Sequence, residues 1–148
     1  MDTSPHLARA QWMSLLAQSD PAELAAAMDG FAPPADLTWL RPAQTGLYML
    51  RGRVGGTGPQ FNFGEMTVTR CSVQAGDHIG HAWVRGSNAR HAELAALADA
   101  LLQDGEQNPS LCRDVIEPLR RALHRRRDEA SRKAAASKVE FFTVVRGE

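Results

Sequence analysis

The stretch from Leu37 to Gly86 constrains the fold most, because its extended runs lie too close together for helices to fit between them. "LTWLRP" and "TGLYMLRGRV" read as strands, with Thr45-Gly46 as the expected connector. "MTVTRCSV" alternates, setting Thr67, Thr69, Cys71 and Val73 on one face and Met66, Val68 and Arg70 on the other. "GDHIGHAWVRG" is a further short strand, entered through Gly76-Asp77. Parallel neighbours need a crossover of a dozen or more residues, and none is available here. The expectation is therefore an antiparallel meander of roughly four strands.

Helical patterns flank this region. In "SPHLARAQWMSLLAQSDPAELAAAMDG" the first helix carries Leu7, Gln11 and Leu15 on one stripe, flanked by Trp12 and Leu16. The second has a full set of boundary signals: Asp20 as N-cap, Pro21 at the first helical position, Glu23 three residues after the cap, and Gly30 just past the end. "NARHAELAALADALLQDG" is capped by Asn88 and ended by Gly105, with Leu94, Leu97, Ala98 and Leu101 as its apolar stripe. Another helix follows from about Pro109, and Pro118 begins a new segment or kinks the old one. "LRRALHRRRDEASRKAAASK" is rich in strong helix formers but poor in core residues, which implies a mostly exposed helix. "VEFFTVVRGE" then closes the chain as an apolar tail, fixed as an edge strand or in a partner's groove. The fold class is α+β in a single domain: helices over 1–30, sheet over 37–86, helices over 88–136 and the tail over 139–148.

Bulk properties exclude several functions. With 17 acids and 17 bases the chain has no global attraction for nucleic acid or membrane. The cations are unevenly placed: nine Lys/Arg against four Asp/Glu lie between Arg113 and Lys138. Interleaved Asp128 and Glu129 favour a solvated face or an acidic partner over a phosphate backbone. The two cysteines, Cys71 and Cys112, form no disulfide framework and no metal-binding spacing, and Cys71 is expected to be buried. The N-terminus lacks the pattern of a secretory leader, so a soluble, reduced, cytoplasmic protein is expected.

The chemistry-bearing candidates are few. Arg53, Gly55, Gly56, Thr57 and Gly58 form a glycine-rich turn that matches neither GxGxxG nor GxxxxGK[ST]. No helix N-terminus follows to reinforce an anion site, so a hairpin turn is the first reading. An anion-facing loop using Arg51, Arg53 and Thr57 is the second. His78 and His81 are three apart on a strand and point to opposite faces, which disfavours metal binding. His91 and Glu93 lie in the first turn of a helix, where a carboxylate is favoured by the dipole and a histidine is ordinarily solvated. Trp83 reads as core.

Several stretches together resemble the PhnG family, the G subunit of the bacterial carbon–phosphorus lyase system. They are "QWMSLLA" at 11–17, "TGL" at 45–47, "GGTGPQFNFGEMTVTR" at 55–70, "GHAWVRG" at 80–86, "HAELAALADAL" at 91–101 and "SKVEFFTVVRG" at 137–147. The resemblance implies an accessory subunit of alpha-D-ribose 1-methylphosphonate 5-triphosphate synthase. It implies H, I and J as core partners, with K associating, and no nucleic acid or membrane. ATP is then a substrate of the complex, while the iron–sulfur cluster and S-adenosylmethionine belong to J. No cofactor, metal or catalytic residue is expected in this chain. In that setting Arg53, Gly55, Gly56, Thr57, Gly58, Arg85 and His91 become candidates for triphosphate or phosphonate contact. Arg120, Arg121, Arg125, Val139, Phe141, Phe142, Val144, Val145 and Arg146 become candidates for the partner interface. Less favoured alternatives are direct substrate binding as the main role, and a nucleic-acid module built on the basic helix.

Overall fold

The computed structural model describes residues 7–142. In chain order these form α1 (Arg9–Gln18), α2 (Pro21–Met28), β1 (Thr38–Arg53), β2 (Gln60–Ala75), β3 (His78–Arg85), α3 (Ala89–Leu102), α4 (Asn108–Leu111) and α5 (Glu117–Phe142). The sheet is an antiparallel meander, β1-β2-β3. Among the described residues it has three strands rather than four, because Thr45 and Gly46 lie inside β1, opposite Thr69 and Val68. β1 takes Pro42 in its stride as an edge strand, where a missing N–H costs no ladder bond, and register shifts on either side of Arg41 absorb the irregularity.

The expected caps are present. The Asp20 carboxylate accepts from the Glu23 amide at 3.3 Å, and Asn88 Oδ1 accepts from the His91 amide at 3.0 Å. Between α4 and α5 the chain widens into a π-turn, Cys112–Ile116. Pro118 has no N–H to continue the helical ladder and its ring crowds the carbonyl four residues back, which accounts for the wider turn.

The core forms between one sheet face and α3. Cys71, Val73 and Ala75 of β2 and Ala82 and Val84 of β3 meet α3, and Leu15, Leu16, Leu24 and Met28 close the layer from α1 and α2. α3 is not half-exposed as its stripe suggests: from His91 to Leu102 every residue except Glu93 is buried. Its alanines let the sheet approach closely. At Gly80 an added Cβ would lie 2.0 Å from the Ala96 carbonyl oxygen and 2.6 Å from the Ala100 nitrogen.

A second fixed point is polar. Asp99 of α3 is fully buried and accepts from Arg9 Nε at 3.1 Å, Arg9 Nη2 at 2.8 Å, Trp12 Nε1 at 2.8 Å and the His81 amide at 2.9 Å. One carboxylate thus joins α1, β3 and α3, with donors enough to replace its lost hydration. The same ion pair holds the Arg9 proton more tightly than usual.

β3 is half the length of its neighbours, and that shapes the molecule. The Gly86 amide donates to Thr67 O at 2.9 Å, and Thr69 Oγ1 donates to Gly86 O at 2.7 Å, as the chain leaves the sheet. Toward the glycine turn from Thr67, β2 has only β1 beside it among the described residues. The two strands continue as a ribbon on which none of the 20 residues from Gly46 to Glu65 is buried.

Candidate functional site

The glycine turn caps this ribbon. Gly55 and Gly56 take φ of 60° and 81°, backbone that residues with a Cβ rarely adopt. The Thr57 and Gly58 amides both point inward to Val54 O, the latter at 2.8 Å, and Arg53 Nη1 donates across the loop to Gly58 O at 3.3 Å. The turn therefore closes a hairpin and spends these donors on itself, as the first reading of the sequence has it. Thr57 and Arg53 remain exposed at the tip.

Arg85 sits at the other end of the ribbon. It lies opposite Val68, whereas Arg53 lies opposite Gln60, eight residues along β2. At roughly 3.3 Å per residue the two arginines are about 26 Å apart. His91 is in neither place. It is 5% exposed, with Nε2 2.9 Å from Leu16 O, and it pins the end of α1 to the start of α3. The solvated histidine expected from the sequence is thus an interior strut, and Arg53, Arg85 and His91 do not converge on one cavity.

Arg85 does border a groove of about 600 Å³ at the ribbon's root, together with Gln18, Tyr48, Met66, Trp83 and Leu123. Trp83 is 50% exposed and so is not core; its ring meets Tyr48 edge-on with centroids 5.2 Å apart, and the Arg70 guanidinium lies 5.8 Å from its centroid. The β3 alternation already carries this signal: Gly80, Ala82 and Val84 are the small residues that can face α3, which turns His81, Trp83 and Arg85 outward. His81 there shares a 2.7 Å hydrogen bond with Ser72. Among the described residues no three His, Cys, Asp or Glu gather as a metal site.

The interface candidates lie on α5. Arg126 pairs with Glu23 of α2 at 3.0 Å and Arg127 bonds Gln18 of α1, so the middle of α5 is tied to the body. Arg120 is occupied by Glu117 within the helix. Arg121 and Arg125 are exposed, as is every residue from Asp128 to Ser137. An apolar tail separate from this helix is not what forms at 139–142: Val139, Phe141 and Phe142 continue α5. Val144, Val145 and Arg146 lie outside the described residues.

Neither cysteine is a poised nucleophile. Burial, with Glu93 adding to it, pushes the Cys71 thiol up to about 11, and burial also raises that of Cys112. A thiol raised by two units carries about 100-fold less thiolate at neutral pH. A disulfide reagent at pH 8 is expected to label Cys71 only once denaturant unfolds the chain; equal labelling rates with and without denaturant would contradict this. The folded thiol keeps its proton where the unfolded one ionises, so this group lowers stability as pH rises from about 9 toward 11.

The comparison with known proteins decides the family. A family model described as phosphonate metabolism protein PhnG matches residues 7–147. The chain belongs to the PhnG family. A member from Rhizobium meliloti (strain 1021), named alpha-D-ribose 1-methylphosphonate 5-triphosphate synthase subunit PhnG, is 39% identical over 145 residues, covering 95% of this chain and 90% of that protein. The PhnG match runs through both the ribbon and α5, the two exposed features of the fold. Among the described residues no helix is long and apolar enough to cross a membrane.

Proposed function

We propose that this PhnG-family chain is an accessory, non-catalytic subunit of alpha-D-ribose 1-methylphosphonate 5-triphosphate synthase, acting in the cytoplasm. In that reaction a phosphonate displaces adenine from C1 of the ribose of ATP and leaves the triphosphate on C5. The observation that carries the reading is the match, over nearly the full length of both chains, to a protein named as a subunit of that synthase. Catalysis falls to the nucleosidase-like I component, and this chain assists productive transfer together with H, with J and K as further partners. The exposed basic part of α5 and residues 139–148, which include its last turn, contact those partners in this reading.

Omitting the chain from a reconstituted synthase is expected to bring adenine release from ATP plus phosphonate to background, and adding it back restores release. Undiminished release without the chain would sink the proposal. A second reading, direct contact with substrate, is favoured by one observation: Arg85 stands with Tyr48 and Trp83 on an open groove large enough for a small molecule. In the same assay Arg85→Ala discriminates. Normal assembly with lost turnover supports contact, and normal turnover supports the accessory role alone.

A further inference from the structure

The two-stranded ribbon of residues 46–65 is out of proportion to the rest of the fold. A two-stranded hairpin is marginal in water unless a third strand or a helix covers it. Here, apart from the Tyr48–Trp83 contact at the root, no strand or helix among the described residues covers the stretch from Gly46 to Glu65. The ribbon nevertheless carries core-type side chains. Leu47 is 66% exposed, Met49 54% and Phe63 58%, and Val54 and Phe61 are exposed as well. The Phe61 and Phe63 rings lie together, centroids 6.0 Å apart, over the backbone of Gly52, where an added Cβ would lie 3.1 Å from Phe63. The aromatic pair thus rests on bare backbone and presents its rings outward. Clustered exposed apolar residues on one projection mark a contact surface.

Charge and size indicate the occupant. From Gly46 to Ala75 the chain has three arginines, Arg51, Arg53 and Arg70, and one carboxylate, Glu65. Arg85 adds a further cation at the ribbon's root, next to half-exposed Trp83. Among the described residues none of these arginines has an ion pair, although six other basic side chains do. Two ribbons brought together would set like charges against each other, which disfavours a second copy. A different protein with an apolar centre and carboxylates around it matches both properties. The ribbon's 20 accessible residues reach the roughly 20–30 per side of a stable protein–protein interface.

We propose that the ribbon, with the Trp83–Arg85 groove at its root, is the arm by which this chain grips another subunit of the same synthase, one presenting an apolar, carboxylate-rimmed surface. This rests on the subunit reading above and adds the surface and the chemistry of its partner. The test compares backbone hydrogen exchange in the full chain alone and in the reconstituted synthase. Amides in 46–53 and 60–65 are expected to slow at least about tenfold on assembly. Leu47→Ser/Phe63→Ser and Arg51→Glu/Arg53→Glu are each expected to keep the wild-type melting temperature yet recover at least about tenfold less chain with the other subunits. Arg51→Lys/Arg53→Lys keeps the charge and should retain most of the binding. Unchanged exchange in an intact complex overturns the proposal. So does ribbon protection that grows with the concentration of the chain alone, which would assign the surface to a second copy. Failure of the wild-type chain to join the synthase is a different result, which removes the subunit reading itself.

Discussion

Replacing Gly80 with alanine is expected to lower stability by about 3 kcal/mol, or roughly 10 °C in melting temperature for a chain of this size. The added methyl would sit 2.0 Å from the Ala96 carbonyl oxygen, 2.6 Å from the Ala100 nitrogen and 2.9 Å from the Ala100 Cβ. Two of these neighbours are backbone of α3, so no side chain can swing away to make room. β3 would have to lift off the helix at the centre of the core, separating Ala82 and Val84 from their contacts. Such a loss is a large share of the 5–15 kcal/mol that holds a typical domain together. Thermal unfolding followed by circular dichroism measures it. A variant that melts within 2–3 °C of wild type would show that the strand and helix are less tightly apposed than the geometry requires.

Asp99→Ala is expected to cost about 2–3 kcal/mol by a different route. The methyl group fills space poorly, but the larger loss is electrostatic. Arg9, the Trp12 indole and the His81 amide each donate to this carboxylate, and removing it strands the buried indole N–H and the part-buried His81 amide, whereas half-exposed Arg9 keeps the Ile79 carbonyl and water. Asp99→Asn keeps one acceptor oxygen and is expected to fall between wild type and alanine. Because the three donors belong to α1 and β3, the damage should be non-local. Denaturant unfolding should show a lowered midpoint, and hydrogen exchange should rise at both α1 and β3. A loss below about 1 kcal/mol for the alanine variant would mean that water replaces the carboxylate, and that the network carries little of the fold.

These two positions also show where sequence reasoning stops. Gly80 reads as one more glycine in a strand, and Asp99 as one acid on the polar side of an amphipathic helix. Each matters because of an element far away along the chain. Asp99 meets Arg9 and Trp12 from the other end of the domain, and no local pattern encodes that meeting. His91 is similar: a first-turn histidine looks solvated until α1 is laid over it. Trp83 errs in the opposite direction. Its bulk suggests core, but the small residues alternating with it had already claimed the helix-facing side of β3.

Local chemistry was sufficient for other features. Asp20, Pro21 and Asn88 mark helix starts because the donors they satisfy lie within three residues. Short connectors between extended runs forced an antiparallel sheet, since no crossover fits, and Pro118 disturbed the helix around it because proline lacks an N–H. The glycine turn was legible as a hairpin from the strands on either side. Family membership too was carried by the order of motifs along the chain. Only the tertiary structure decided that β1 runs unbroken, that α3 is enclosed, and that β3 stops short and leaves no residue of the ribbon buried. Those outcomes depend on which surfaces meet after collapse, and burial is a property of the whole packed chain rather than of any segment within it.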